Sequence, residues 1–230
     1  MNLVMLDIDG TLTLSYEYDQ EIFGLAIGEV LGCDPVNADL NGYFDKTSSG
    51  VTEEAIRRVT GKSPTSEQFE GVKHNVMVRL ERLQQQSPGA FQEVAGAGRF
   101  LEHLRNLAGI GVAIASGCWR SEALFKLSAS GIHVDGIPMA TSDDDKNRTS
   151  IMKHAVERAR QAYDCREFER IIYMGDGPWD LQEARALGYG FIGIGPRLKG
   201  YQGGLLEHWH PDFVDLKAVM GSINSVLYIR

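Results

Sequence analysis

Near its start the chain reads Asp7-Ile8-Asp9-Gly10-Thr11, two carboxylates one residue apart closing an apolar run. A second acidic group, Gly175-Asp176-Gly177-Pro178-Trp179-Asp180, closes a much later one. Such carboxylates can shape a turn, hold a hard divalent cation, or act as nucleophile and proton carrier. An EF-hand calcium loop is a poor match, because Thr11 and Tyr18 stand where its next donor and its closing acid belong. Phosphorus chemistry would use the remaining roles together. A carboxylate that attacks phosphorus forms an acyl phosphate and divides one hard hydrolysis into two easier steps. The attack crowds anions together, so Mg²⁺, which prefers a few carboxylate oxygens and the substrate phosphate, is the expected cofactor. Asp7 and Asp176 are the first ligand candidates, with Asp9 and Asp180 completing the acidic set, Asp180 from behind the metal's waters. Asp9 would protonate the leaving oxygen and then activate water. Ser116 could donate its hydroxyl to the phosphoryl oxygens, assisted by Gly10, Thr11 and Gly117, while Lys146 or Arg148 supplies fixed positive charge.

For these groups to meet, the elements must bring them together. Asn2–Ile8, Gly109–Ser116, Arg170–Gly177 and Gly188–Gly195 are short apolar runs of the kind buried on both faces of a sheet, and Gly136–Ser142 is a weaker one. Helical periods separate them, one placing Phe100, Leu101, Leu104 and Leu107 on a single face and another doing so with Leu124 and Leu127. The alternation predicts an α/β fold with a Rossmann-like parallel sheet, whose chemistry gathers beyond the carboxyl ends of the strands. Residues 15–88 break the rhythm with helical periods and no convincing strand. They predict an all-helical module inserted into a core made of 1–14 and 89–230. Gly32 and Gly61 are expected helix stops, Thr52 and Ser66 expected N-caps. Asp45–Glu54 reads as a polar loop between helices.

At 230 residues, 43% hydrophobic and 23% charged, the chain is ordinary for a folded protein with a sizeable core. The net charge of −8 and the lack of any Lys/Arg run argue against nucleic acid or an anionic membrane as partner. Cys33, Cys118 and Cys165 are too few and too scattered for a disulfide framework or zinc site. With no leader-like or membrane-spanning stretch, a cytoplasmic protein is expected. Gly193-Ile194-Gly195 lacks the third glycine of a dinucleotide loop, His208 and His210 lack further ligands, and Cys118 has no evident partner base; none is assigned a role.

Taken together, the motifs resemble those of the haloacid dehalogenase superfamily. Asp7-Ile8-Asp9-Gly10-Thr11-Leu12 is similar to its first motif, Ile114-Ala115-Ser116 to its second and Gly175–Asp180 to its acidic fourth. The third motif often reads Lys-Pro; here Lys146-Asn147-Arg148-Thr149 lacks the proline, which leaves the choice of basic residue open. The resemblance implies a phosphatase with Asp7 as nucleophile and Asp9 as acid/base, the second Asp being absent from the dehalogenases themselves. It also implies a helical cap, with hinges near Leu14–Tyr16 and Pro88–Gly89, whose Lys46, Thr47, Ser48 and Ser49 would contact a small phosphorylated substrate. A mutase of the β-phosphoglucomutase type, a phosphonate hydrolase using Lys46 or Lys62, and a non-catalytic relative are the alternatives.

Overall fold

The expected runs become strands because their residues are apolar toward both faces. The computed structural model describes residues 1–201 and 206–227. It contains a parallel sheet of β1 (Asn2–Leu6), β2 (Ile110–Ala115), β3 (Met139–Ala140), β4 (Ile171–Gly175), β5 (Gly190–Ile194) and β6 (Trp209–His210), in the order β3-β2-β1-β4-β5-β6. The two-residue β6 has no counterpart among the expected strands. Along β1, Val4 and Leu6 join a core with Phe100, Leu104, Phe213 and Ile223, under α4 (Ala97–Arg105) and α8 (Leu216–Leu227). Leu3 and Met5 face the opposite core with Met152, Ala155 and Leu181, under α6 (Arg148–Ala162) and α7 (Pro178–Ala186). Strand order reverses between β1 and β4, where a crevice opens beyond the strand ends. Leu6 pairs with Met174 there, so Asp7 and Asp176 emerge side by side.

Residues 16–86 supply α1 (Tyr16–Leu31), α2 (Ser48–Thr60) and α3 (Ser66–Gln86). Phe23, Ile27, Ile56, Val72, Val76 and Leu80 form a third apolar cluster, joined by Phe91 and Trp119 from the sheet side. Trp119 stacks on Phe23 at 5.4 Å between ring centroids and meets Phe69 edge-on at 5.7 Å. The two chain crossings between the helices and the sheet are tied together, Leu14 N–H donating to Gln92 O (2.8 Å) and Val94 N–H to Leu12 O (2.9 Å).

Gly32 and Gly61 end α1 and α2 in the left-handed conformation, as expected. The N-caps differ from expectation. Thr47 caps α2 and Thr65 caps α3 through a capping box with Gln68, so Ser48–Glu54 is helix rather than loop. Thr47 wins over Thr52 because its hydroxyl accepts from Gly50 N–H (3.1 Å) while Thr52 is buried inside the helix. In α5 (Arg120–Ala129), Leu127 is buried but Leu124 is exposed, and Glu122 and Lys126 occupy the inner face.

The stacked pair Phe100–Phe213 (4.5 Å, 21°) pins α4 to the segment before α8. Phe100→Ala should lower unfolding stability by about 3–5 kcal/mol, read as a reduced urea midpoint.

Candidate active site

The loop after β1 folds back on itself: Thr11, Leu12 and Thr13 N–H all donate to Ile8 O, and Gly10 N–H donates to Thr13 O. Gly10 must be glycine twice over. Its φ is +77°, and a Cβ there would lie 2.0 Å from Asp176 Oδ2. This close approach lets β1 and β4 present Asp7 and Asp176 to one another. Asp180, in the first turn of α7, accepts from Gly177 N–H (2.9 Å), and Gly175 leaves room for it. Carboxylate oxygens of Asp7, Asp176 and Asp180 all lie within 4.8 Å of one another, and all three residues are buried. Asp180 Oδ1 is buried and accepts no aligned hydrogen bond from the described residues. Hard oxygen donors crowded together fit a small divalent cation.

Arg148, the first residue of α6, reaches this corner. Its Nη1 lies 3.0 Å from Asp180 Oδ1 and 3.4 Å from Asp7 Oδ2, and its Nη2 donates to Lys46 O (3.2 Å). Gly117 makes space for the guanidinium, since a Cβ would meet Nη2 at 2.7 Å. Lys146 is placed elsewhere: its ammonium pairs with Glu53 at 2.8 Å on the exposed surface. Ser116 is buried at the end of β2, its Oγ accepting from Cys118 N–H (3.2 Å) and its own proton left to donate. Thr11 is also buried, its Oγ1 without a hydrogen-bond partner among the described residues.

Asp9 stands apart from the other three acids. Its Oδ1 accepts from Lys126 Nζ (2.9 Å) and from Ser15 Oγ, and its Oδ2 from Cys118 Sγ (2.7 Å). Of the four residues 46–49, three spend their hydroxyls on docking the start of α2. Thr47 donates to Lys146 O, Ser48 to Glu122 Oε2 and Ser49 to Ser142 O. Lys46 instead lies over the Trp179 ring (5.7 Å) in a cavity of about 500 Å³ that also exposes Asp7, Asp9, Gly117, Arg148 and Asp176. Tyr16, Asp19, Gln20 and Phe23 of α1 and Asn41 of the connection to α2 complete its wall.

Sequence reasoning passed over several residues here. Arg197, after β5, pairs with Asp176 Oδ2 (2.9 Å) and stacks on Tyr16 (3.9 Å), but a lone arginine near glycines carries no signal. Glu122 and Lys126 look like an exposed i,i+4 pair, and Asp19 like a surface residue of α1. Cys118, which has no partner base nearby in the sequence, touches Asp9 and Glu122.

Burial drives the electrostatics. It raises Asp7 to about 7, opposed by Arg148 and reinforced by Asp180 and Asp9. Burial likewise raises Asp176 against Arg197, and Asp180 against Arg148. Burial also acts on Asp9, but Lys126, Cys118 and Ser15 outweigh it, so its carboxyl is lowered. Without a bound cation, the raised acids hold protons more tightly in the folded state than in the unfolded one. Their stabilisation is complete below the unfolded carboxylate range and lost as pH rises through the folded value, about 7 for Asp7. A divalent cation binds the ionised forms. The melting-temperature gain from Mg²⁺ over EDTA should therefore widen from about pH 5 to about pH 8. A gain that is constant or shrinks with pH would contradict this placement of charge.

The family model for haloacid dehalogenase-like hydrolases matches residues 1–188. No curated protein matches the chain. Among solved structures, a hydrolase from Pseudomonas syringae is 24% identical with a TM-score of 0.71, over 97% of this chain and 99% of that one. CbbY from Rhodobacter sphaeroides, in complex with phosphate, is 17% identical with a TM-score of 0.69, over 94% and 96%. A candidate β-phosphoglucomutase from Bacteroides vulgatus is 18% identical with a TM-score of 0.67, over 100% and 91%. At these identities the likeness is one of fold. The motif loops, the sheet order that joins them and the extent of the family match together make this chain a member of the haloacid dehalogenase-like hydrolases.

Proposed function

We propose that the chain is a Mg²⁺-dependent phosphatase acting on a small phosphorylated metabolite, with Asp7 as nucleophile. The observation that carries this reading is the convergence of Asp7, Asp176 and Asp180 in one buried corner beside Arg148. Asp7, Asp176 and Asp180 would hold the cation, which when bound supplies the charge neutralisation that lets a carboxylate approach a phosphate.

The chain's own groups do the rest. One oxygen of Asp7 bonds to phosphorus as the bond to the leaving oxygen breaks, giving an aspartyl phosphate. Arg148 and the Ser116 hydroxyl hold the transferring oxygens, with the N–H groups of Asp9 and Gly117 beside them, while those of Gly10 and Thr11 close the loop itself. Asp9 gives a proton to the leaving oxygen and later takes one from the water that frees Asp7. Residues 15–88 act as a cap over the core of 1–14 and 89–230, with hinges near Leu14–Tyr16 and Pro88–Gly89. Lys46 faces the substrate, while Thr47, Ser48 and Ser49 seat the cap. The fold likeness to a candidate β-phosphoglucomutase supports a second reading, in which a bound sugar phosphate replaces water as acceptor.

A panel of sugar phosphates, nucleotides, phosphoglycolate and aminoalkyl phosphonates, run with Mg²⁺ and with EDTA, tests both. Hydrolysis releases inorganic phosphate only with the metal, whereas a mutase isomerises a sugar 1-phosphate. Asp7→Asn should lower kcat by about 1,000-fold or more while leaving the melting temperature close to wild type. Turnover that survives EDTA or Asp7→Asn would sink the proposal.

A further inference from the structure

In the second turn of α5, a lysine sits where a helix normally buries an apolar residue. Lys126 is fully buried, and its ammonium is shared among three carboxylates from three parts of the chain. It lies 2.9 Å from Asp9 Oδ1 in the β1 loop, 2.7 Å from Asp19 Oδ1 on α1 and 2.8 Å from Glu122 Oε1 on α5 itself. Burying an ammonium with three carboxylates carries a desolvation penalty that a leucine would avoid, so packing does not account for the lysine. Glu122 extends the network to α2, its Oε2 accepting from Ser48 Oγ (2.8 Å). The ammonium thus bridges Asp9 to the first two helices of the 15–88 segment.

We propose that Lys126 is a positioning residue for Asp9, fixing its Oδ1 and tying it to Asp19 so that Oδ2 is the oxygen that exchanges the proton. This rests on the reading of Asp9 as general acid. Oδ1 is committed to an ammonium and to the Ser15 hydroxyl, whereas Oδ2, among the described residues, accepts from the Cys118 thiol, a weak donor that is easily displaced. In the first step a substrate that enters as the monoanion gives its proton to Asp9 Oδ2 as the thiol is displaced; an oxygen of Asp7 then bonds to phosphorus, the bond from phosphorus to the leaving oxygen breaks, and Oδ2 passes that proton to the leaving oxygen. Asp9 is left as a carboxylate beside the Lys126 ammonium, already aimed to take a proton from water. Ordering of Asp19 on α1 against the same ammonium means that Asp9 is fully held only when α1 is seated.

The test is a series of ring-substituted phenyl phosphates, assayed with Mg²⁺ as kcat/KM, which ends at departure of the leaving group. Phenol needs a proton to leave; p-nitrophenolate does not. Lys126→Met should lower kcat/KM about 10- to 100-fold for phenyl phosphate and by less than about threefold for p-nitrophenyl phosphate, with Asp9→Asn showing the same pattern more deeply. A purely structural role would depress both substrates alike. If Lys126→Met alone does not fold, Lys126→Met/Asp19→Asn removes one negative charge with the positive one and carries the test. Selective loss in Asp9→Asn but equal loss across the series in the Lys126 variant overturns the positioning role alone. Equal loss in Asp9→Asn overturns the general-acid reading and the inference with it.

Discussion

Negative charge packed into a buried corner is the constraint around which this molecule is arranged. Asp7, Asp9, Asp19, Glu122, Asp176 and Asp180 gather at and beside the strand-order switch, and among the described residues Lys126, Arg148 and Arg197 pair with them. Each cation arrives from a different element: Lys126 from α5, Arg148 from the start of α6, Arg197 from the turn after β5. The charges do not balance, and burial makes the imbalance expensive, as the upward displacement of Asp7, Asp176 and Asp180 records. A divalent cation and a phosphoryl group are complementary additions to such a corner, one relieving the carboxylates and the other engaging Arg148.

The charge also divides into two halves with different partners. Asp7, Asp176 and Asp180 are crowded oxygens with arginines at their edge, suited to metal and phosphate. Asp9 is turned away toward a lysine, a hydroxyl and a thiol, which lower it where its neighbours are raised. Two carboxylates one residue apart acquire distinct characters because Asp7 meets Asp176, Asp180 and Arg148 while Asp9 meets Lys126, Ser15 and Cys118. Separating environments in this way is how a pair of like groups divides nucleophilic and proton-transfer roles.

Much of this was legible in the amino-acid order. Both-face burial shows in the apolar runs that become β1, β2, β4 and β5, and the acidic motifs at their ends stand out because charge seldom follows such a run. The two-residue β6 was not legible, since so short a strand has no period to detect. The start of α2 was misread because Thr47-Ser48-Ser49-Gly50 has a loop's composition, and only its packing against Gly117, Glu122 and Ser142 makes it helix. Lys126 and Glu122 were hidden for a different reason. A buried charge pair at i,i+4 is identical in sequence to an exposed one, and the carboxylates that demand it come from Asp9 and Asp19, more than a hundred residues away. Choosing between Lys146 and Arg148 likewise needed coordinates, because the two are separated by a single residue and only helix geometry turns one inward.

The central claim is that this acidic corner lets Asp7 bond to phosphorus. The direct measurement is acid-quenched turnover with Mg²⁺ and a phosphorylated substrate, followed by peptide mass mapping. The account predicts one phosphoryl group on the peptide carrying Asp7, absent when EDTA is added. Steady phosphate release with that peptide unmodified, or with the phosphoryl group on another residue, would contradict it.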